Sequence, residues 1–181
     1  MEIIPTPIKD LVVIQPKVFG DDRGWFFESW SQADFVKNGL PTDFVQDNHS
    51  FSQKGVLRGL HFQNPPSAQG KLVRCVKGRL WDVAVDVRQN SPTFKQWFSI
   101  ELSAEAKNMI YIPIGFAHGF YALEDCEMLY KVHGGGYDPA SDSGILWNDP
   151  EIGVAWPLEG EPTLSEKDKA LKPLSETNIS F

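Results

Sequence analysis

The sequence predicts an all-β fold, a closed barrel or jelly roll with a few short peripheral helices. Short segments rich in β-branched and aromatic residues recur along the chain, and Gly, Pro, Asn and Asp separate them, as in strands joined by turns. Helical signals are confined to two short stretches, and no internal repeat, low-complexity tract or linker divides the chain. We therefore expect a single jelly-roll domain over residues 1–181.

Alternation of apolar and polar side chains marks the strongest strands. In residues 79–87 the valines and Trp81 share one face of the predicted strand, and Asp82 and Asp86 occupy the other. Residues 96–102 alternate in the same way. The other predicted strands are residues 11–18 with an early end at Pro16, 24–30, 44–45 ending in a polar cluster at residues 46–48, 71–76 joined to 79–87 by a hairpin turn at Lys77-Gly78, 109–114, 119–123 and 127–132.

Two short helices are predicted from their capping residues. Ser31 is placed to cap a helix through Lys37 that stops at Asn38-Gly39. Ser165 is placed to cap a second helix that ends at Leu171, before a proline. The polar stretch after Pro173 has the composition of a flexible tail.

Composition excludes several classes of protein. An apolar fraction of 41%, with six Trp and twelve Phe, indicates a folded globule rather than a disordered chain. The net charge of −7, with acids and bases mixed along the chain, argues against a nucleic-acid partner. Cys75 and Cys126 are isolated, so we expect core positions rather than a disulfide framework. Residues 1–5 lack a signal-peptide pattern and no membrane-length apolar run follows, so we expect a cytoplasmic protein without membrane association.

The segment around His61 carries the most informative polar residues. Strand alternation places His61 and Gln63 on one face, with Arg58 at the adjoining loop and Lys71 at the start of the next strand. A single histidine in a strand is usually structural, but three potential positive charges together repel one another unless an anion lies between them. We therefore expect an anionic ligand here.

Two other polar segments have ordinary explanations when taken alone. Arg23 and Glu28 could form a surface ion pair, and residues 46–50 could be a turn rich in local side-chain hydrogen bonds. A fourth segment, Pro113-Ile-Gly-Phe-Ala-His118, is similar to the second motif of cupins, which are small jelly-roll barrels that often bind a metal.

The metal ligands of such cupins are incomplete in this sequence. The first motif would need a His-x-His pair, and residues 61–63 offer only one imidazole; Ala122 stands where an Asn is expected after His118. A site of three nitrogens would have to recruit His49 or His133. We expect no metal and no cofactor.

These groups suit proton transfer at a carbon next to a ketone. An imidazole supplies a base with a pKa near neutrality, and a cation such as Lys71 or Arg58 stabilises the developing enolate. Inversion requires an acid on the opposite face, for which a tyrosine phenol is suitable. A carboxylate must orient the imidazole, and the chemistry alone leaves open which Asp does so.

The motifs together resemble the dTDP-4-dehydrorhamnose 3,5-epimerase family over almost the whole chain. They are Phe19-Gly-Asp-Asp-Arg23-Gly, Gln46-Asp-Asn48, Arg58-Gly-Leu-His61-Phe-Gln63, Gln69-Gly-Lys71-Leu-Val, Asp82-Val-Ala-Val-Asp86, Pro113-x-Gly-Phe-Ala-His118-Gly-Phe, Leu129-Tyr130-Lys131, Trp147-Asn-Asp-Pro150 and Leu164-Ser-Glu-Lys-Asp168.

The resemblance implies a cupin-like jelly roll, a homodimer with strand exchange, no cofactor, a dTDP-linked 4-keto-6-deoxy sugar as substrate and a place in dTDP-L-rhamnose synthesis. It implies catalytic roles for His61 as base, Asp168 as its orienting carboxylate, Tyr130 as the opposed acid and Lys71 as the enolate-stabilising cation. The substrate contacts it implies are Arg23, Glu28, Gln46, Asp47, Asn48, Arg58, His118, Asp142 and Lys167.

One loop departs from the family pattern. Residues 132–137 read Val-His-Gly-Gly-Gly-Tyr where many members have a Thr-rich stretch with paired aromatics; Tyr137 keeps the second aromatic, and three glycines predict a mobile loop. The alternatives are a single-carbon epimerase or ketoisomerase on a related dTDP-keto sugar, a metal-dependent cupin, and a non-catalytic sugar-nucleotide binding module. The double epimerase is the leading hypothesis.

Overall fold

The computed structural model describes residues 1–181 and contains two large antiparallel sheets, which confirms the predicted all-β fold. The strands are β1 (Glu2–Pro5), β2 (Val12–Gln15), β3 (Phe19–Asp21), β4 (Gly24–Phe26), β5 (Phe44–Ser52), β6 (Leu57–Gln63), β7 (Gln69–Lys77), β8 (Arg79–Asp86), β9 (Trp97–Ser103), β10 (Met109–Ile112), β11 (Phe116–Ala122), β12 (Cys126–Gly134) and β13 (Asp142–Gly144). The first sheet has the order β1-β2-β10-β7-β12-β5, and the second β13-β6-β11-β8-β9. Strands β3 and β4 form a separate two-stranded hairpin.

The main core lies between the two sheets, as expected for a jelly roll. Its residues alternate along the strands: Val73 and Met128 come from the first sheet, and Leu80, Ala84 and Leu102 from the second. The predicted face of β8 that carries Val83, Val85 and Val87 packs outward into a second cluster, which the chain after residue 144 covers. Both faces of β8 are therefore buried, and Asp82 and Asp86 lie on its inner face at 0% exposure.

Two glycines let strands β6 and β11 approach closely. A Cβ atom added to Gly59 would lie 2.5 Å from the Cα atom of Gly119, so a side chain at residue 59 would force the strands apart. His61 and His118 are direct register partners in the same strand pair. The glycines thus set the distance between the strands that carry both histidines.

The helices begin where their caps predict. Helix α1 (Gln32–Lys37) starts after Ser31, whose side chain accepts a hydrogen bond from the amide of Asp34. Helix α2 (Glu166–Lys169) starts after Ser165 in the same manner and is one turn long, shorter than predicted. No helix in the structure has the length and apolar character needed to cross a membrane.

The predicted hairpin at Lys77-Gly78 is wrong. Gly78 does make a turn with a positive φ of 67°, but β7 pairs only with β10 and β12, while β8 pairs with β9 and β11. The turn therefore passes the chain from one sheet to the other. Alternation within each strand cannot distinguish these two outcomes, because both bury the same side chains.

Four local predictions also need correction. Residues 46–48 do not end a strand but lie inside β5, and Arg58 belongs to β6 rather than to a loop. The strand predicted over residues 24–30 ends at Phe26. The stretch after Pro173 begins with a short 3₁₀ helix (Leu174–Glu176). Phe181, at the end of this stretch, packs against Phe62 with ring centroids 6.1 Å apart. Cys75 and Cys126 are free and buried, as predicted.

Candidate active site

Two adjoining cavities of about 170 and 150 Å³ open between the sheets and share His61, Lys71 and Tyr130. The first is also lined by Ser50, Arg58, His118, Gly119, Phe120 and Met128. The second is also lined by Phe62, Gln63, Gln69, Tyr137, Asp142 and Lys167. The predicted cluster of basic residues therefore exists, but it forms across the barrel, because β6 and β7 belong to opposite sheets.

His61 is held by a carboxylate from the far end of the chain. Its Nε2 atom lies 2.5 Å from Oδ1 of Asp168, whose side chain is 3% exposed at the start of α2. Burial acts to raise the pKa of Asp168, but hydrogen bonds from His61 and Ser165 outweigh it and hold the pKa below its ordinary value. Asp168 thus stays ionised beside Nε2 of His61.

Lys71 is a desolvated cation on the inner face of β7. Burial lowers its pKa to about 8, partly offset by the negative charges of Asp82 and Asp142, while Lys167 lowers it further. Its Nζ atom lies 5.8 Å from the centre of the Tyr130 ring. A weakly solvated ammonium group interacts strongly with a developing negative charge.

Tyr130 faces the cavity from β12, in the sheet opposite His61. Burial raises the pKa of its phenol, with the positive charge of Arg58 acting in the other direction, so the phenol carries its proton at neutral pH. Arg58 is fixed by hydrogen bonds from its guanidinium to Oγ of Ser52 at 3.1 Å and to the carbonyl of Phe51 at 2.9 Å. A proton donor and a cation therefore border the same space.

A second imidazole–carboxylate pair lies beside the first. Nε2 of His118 is 2.8 Å from Oδ2 of Asp82, and both side chains are buried. Oδ1 of Asp82 and the hydroxyl of Ser50 are buried without a hydrogen-bond partner. Sequence reasoning missed both residues as site residues, although alternation along β8 and β5 would have placed them on the inner faces.

The remaining predicted substrate contacts lie in three places. Gln46 and Asn48 share the inner face of β5 and are joined by a hydrogen bond of 2.9 Å. Asp142 and Lys167 form an ion pair at the mouth of the second cavity. Asp47 points away from them by strand alternation and forms an exposed ion pair with Lys131 at 2.8 Å.

Arg23 and Glu28 lie outside this cavity in the single chain. Arg23 belongs to the β3–β4 hairpin, where its guanidinium binds Asp21 at 2.6 Å with the Arg23 side chain 90% exposed. The suggested ion pair between Arg23 and Glu28 is therefore not formed. The hairpin presents Phe19, Trp25 and Phe26 at 53%, 62% and 65% exposure.

The two further histidines are bound elsewhere. His49 forms an exposed pair with Glu127 at 3.1 Å, and His133 shares a buried hydrogen bond of 2.9 Å with Tyr111. Neither lines the cavities around His61. No group of three or more His, Cys, Asp or Glu side chains is placed to hold a metal ion.

A jelly roll whose inner cavity combines an oriented imidazole, a partly buried lysine and a protonated tyrosine defines a barrel protein equipped for acid–base chemistry on an anionic ligand. The chain belongs to the dTDP-4-dehydrorhamnose 3,5-epimerase family, whose model matches residues 5–176. It is therefore an isomerase, and the resemblance seen in the sequence is confirmed.

Relatives support this assignment over the full length. The dTDP-4-dehydrorhamnose 3,5-epimerase of Salmonella typhimurium is 53% identical over 99% of both chains. A Legionella pneumophila dTDP-6-deoxy-D-glucose-3,5-epimerase, solved in complex with dTDP-4-keto-L-rhamnose, is 47% identical with a TM-score of 0.92 over 97% of this chain and 93% of that one. A 3′-monoepimerase of Streptomyces bikiniensis, solved with dTDP-quinovose, is 33% identical with a TM-score of 0.89 over 95% and 87%.

Proposed function

We propose that this protein converts dTDP-4-dehydro-6-deoxy-D-glucose to dTDP-4-dehydro-L-rhamnose by inverting carbons 3 and 5. The observation that carries the proposal is the placement of His61 and Tyr130 on opposite sheets around one cavity that also holds Lys71. Both carbons flank the C4 ketone, so one set of groups can serve both inversions through the same type of enolate.

In this proposal His61 takes the proton from carbon 3 or 5, and the electron pair of the broken C–H bond moves onto the C4 oxygen. Lys71 donates a hydrogen bond to the enolate oxygen, where charge develops. Tyr130 then delivers a proton to the opposite face of the same carbon, which inverts its configuration. Asp168 holds His61 in place and stabilises the imidazolium.

The predicted substrate contacts that do not transfer protons bind the rest of the substrate in this proposal. Arg58 and His118 border the sugar, and Gln46, Asn48, Asp142 and Lys167 lie towards the base and diphosphate. The guanidinium fork of Arg23 and the ammonium group of Lys167 suit a diphosphate because their donors match its oxygens.

A homodimer would explain why Arg23 and Glu28 lie away from the chain's own cavity. Three exposed aromatic side chains on the β3–β4 hairpin form an apolar surface typical of an interface. In such a dimer Arg23, Glu28 and Asp47 of one chain would contact the substrate bound in the cavity of the other. Light scattering should give twice the 20.3 kDa chain mass, and Phe26→Asp should reduce it to one chain. Val36→Asp, a change at an exposed valine of α1, is the matched control.

The decisive experiment is proton NMR of dTDP-4-keto-6-deoxyglucose incubated with the protein in deuterated water. Deuterium at both carbons 3 and 5 is the expected result. Label at one carbon alone would favour a single-carbon epimerase, the activity class of the Streptomyces bikiniensis relative. Absence of label would contradict the proposed function.

We also propose that the enzyme acts as a single domain in the cytoplasm, without a cofactor. Its two cysteines are free and buried, in keeping with a reducing compartment. The substrate's own ketone supplies the electron sink for proton transfer, so the proposed reaction requires no oxidant or reductant.

A further inference from the structure

We infer that Gln63 is a positioning residue that fixes the glycine-rich loop and thereby holds Tyr137 over the cavity before substrate arrives. The inference rests on the proposed function and deepens it, because it concerns how the sugar-nucleotide site is preformed. It also revises the expectation of a mobile loop at residues 134–136.

The side-chain amide of Gln63 makes three hydrogen bonds, to the glycine-rich loop and to the loop after β6. Its Nε2 atom donates to the carbonyls of Ser67 at 2.6 Å and Gly136 at 3.0 Å, and its Oε1 atom accepts from the amide of Asp138 at 3.0 Å. The side chain is 4% exposed, so water does not compete freely for these groups. One buried side chain therefore ties together the loop after β6 and the loop after β12.

Gln69 adds a second contact of the same kind. Its Nε2 atom donates to the carbonyl of Gly135 at 3.0 Å, and the amide of Gly135 donates to the carbonyl of Ala68 at 3.0 Å. Ser67 also reaches the carboxylate of Asp138 at 3.0 Å. The two loops are thus joined along their length by side-chain and backbone hydrogen bonds.

The glycines allow this close approach. A Cβ atom at Gly135 would lie 2.6 Å from the Cα atom of Ser67, and one at Gly134 would lie 2.5 Å from the carbonyl oxygen of Ala68. Gly134 also has a φ of 84°, which disfavours other residues. Their role here is to let two backbones touch, not to make the segment flexible.

The clamped loop delivers Tyr137 to the mouth of the second cavity. Its ring lines the space that also contains His61, Lys71 and Tyr130. Its amide donates to Oε1 of Gln46 at 3.3 Å, and its hydroxyl lies 3.5 Å from Oδ2 of Asp142. Because Tyr137 is 62% exposed and has few contacts of its own, its position depends on the loop beneath it.

A double-mutant cycle between Gln63 and Tyr137 tests the inference. Gln63→Met keeps the length of the side chain but removes both donors and the acceptor. We expect kcat/KM for the keto sugar to fall about tenfold in the wild-type background and less than twofold in the Tyr137→Ala background, since the two residues act as a unit. Equal losses in both backgrounds would overturn the inference.

Hydrogen exchange provides a readout that does not depend on turnover. The amides of Gly135 and Asp138 should exchange slowly in the wild-type protein and much faster in Gln63→Met, while the Ser31-capped helix α1 is unchanged. Unaltered exchange at residues 134–138 would also overturn the inference. If Gln63→Met does not fold, Gln69→Met, which removes one donor to the same loop, takes its place in both measurements.

The two proposals fail in different ways. If the wild-type protein leaves dTDP-4-keto-6-deoxyglucose unchanged, the proposed function is wrong, and the exchange data still decide whether Gln63 holds the loop. If the wild type is active and the cycle is additive, only the positioning role is wrong.

Discussion

His61 and His118 stand directly opposite each other on strands β6 and β11, and each binds the carboxylate of a different element. Asp168 comes from the short helix α2, and Asp82 from strand β8. Two imidazole–carboxylate pairs therefore border one cavity, close to the partly buried Lys71.

His61→Ala should abolish deuterium incorporation at both carbons while dTDP binding survives. In the proposed mechanism His61, which Asp168 binds through Nε2, is the base, and the proposed nucleotide contacts lie on other residues. NMR exchange and calorimetric titration with dTDP check the two halves. His49→Ala, an exposed histidine outside the cavity, is the control and should retain activity. Full activity in His61→Ala would contradict the mechanism.

Asp168→Asn should lower kcat by about 10²–10⁴-fold, the range typical of acid–base groups. The amide keeps the size of the carboxylate, but it cannot stabilise the imidazolium or fix the same tautomer. Single-turnover rates measure the effect. Ser165→Ala removes only the hydroxyl that bonds Asp168 at 2.7 Å and should cost far less. A comparable loss in Ser165→Ala would assign the effect to helix capping instead.

The pH dependence of kcat/KM should reflect the loss of the proton from the Lys71 ammonium group. Its pKa of about 8 means that the ammonium is present below that pH and is lost above it, so kcat/KM should fall as the pH rises through about 8. Lys71→Met should lower kcat/KM by about 10²–10³-fold at pH 7 and remove this alkaline limb. Tyr130→Phe should be slow but keep the limb. A limb that persists in Lys71→Met would belong to another group.

The same shift affects stability. Because the pKa of Lys71 is lowered from 10.5 in the folded protein, the unfolded chain binds more protons between about pH 8 and 10.5. The unfavourable contribution of Lys71 to stability is therefore complete below pH 8 and disappears as the pH rises across that window. Lys71→Met should accordingly raise the Tm at pH 7, by about 2–4 °C for each kcal/mol recovered.

Asp82→Asn should move the alkaline limb to lower pH. The negative charge of Asp82 is the largest influence that raises the pKa of Lys71, so its removal lets burial lower that pKa further. Asp142→Asn should move the limb in the same direction by a smaller amount, because its charge acts more weakly on Lys71. If the alkaline limb of Asp82→Asn stays at the same pH or moves to higher pH, Asp82 does not raise the pKa of Lys71.

The fold could be predicted from local patterns, but the pairing of strands could not. Alternation identified the inner face of β9 and the outward valines of β8, and the serine caps identified the starts of both helices. The hairpin at Gly78 was predicted wrongly because a tight turn with a positive φ serves equally well to join two sheets. Which strands pair depends on long-range packing that no single segment records.

The site shows the same division. His61 and Lys71 were recognisable by residue type and spacing, whereas Tyr130 and Asp168 were assigned only through the family resemblance; Asp168 lies 107 residues away from His61. Asp82 was seen as one polar side of a strand, because nothing nearby in the sequence marks His118 as its partner. The three glycines at residues 134–136 were interpreted as a mobile loop, because composition does not reveal which atoms lie against each glycine.

The last prediction concerns two neighbouring glycines of this loop: replacement by alanine should destabilise the protein at Gly135 but not at Gly136. A Cβ at Gly135 would meet the Cα, C and O atoms of Ser67 at 2.6–2.7 Å, and this backbone cannot move aside without breaking its hydrogen bonds. A Cβ at Gly136 would meet only Oε1 of Gln46, at 3.9 Å. Gly135→Ala should therefore cost about 1–3 kcal/mol of unfolding free energy, as overpacking does, and speed hydrogen exchange at residues 134–138.

Gly136→Ala should keep a Tm and an exchange pattern close to those of the wild type, since its new methyl group makes ordinary contacts. For a chain of 181 residues the Gly135→Ala change corresponds to a loss of roughly 2–12 °C in Tm. Calorimetry on the two variants measures both effects. Equal stability in the two variants would mean that the loop is loose and that the glycines serve flexibility after all, whereas a loss confined to Gly135→Ala would mean that they serve the close contact with Ser67.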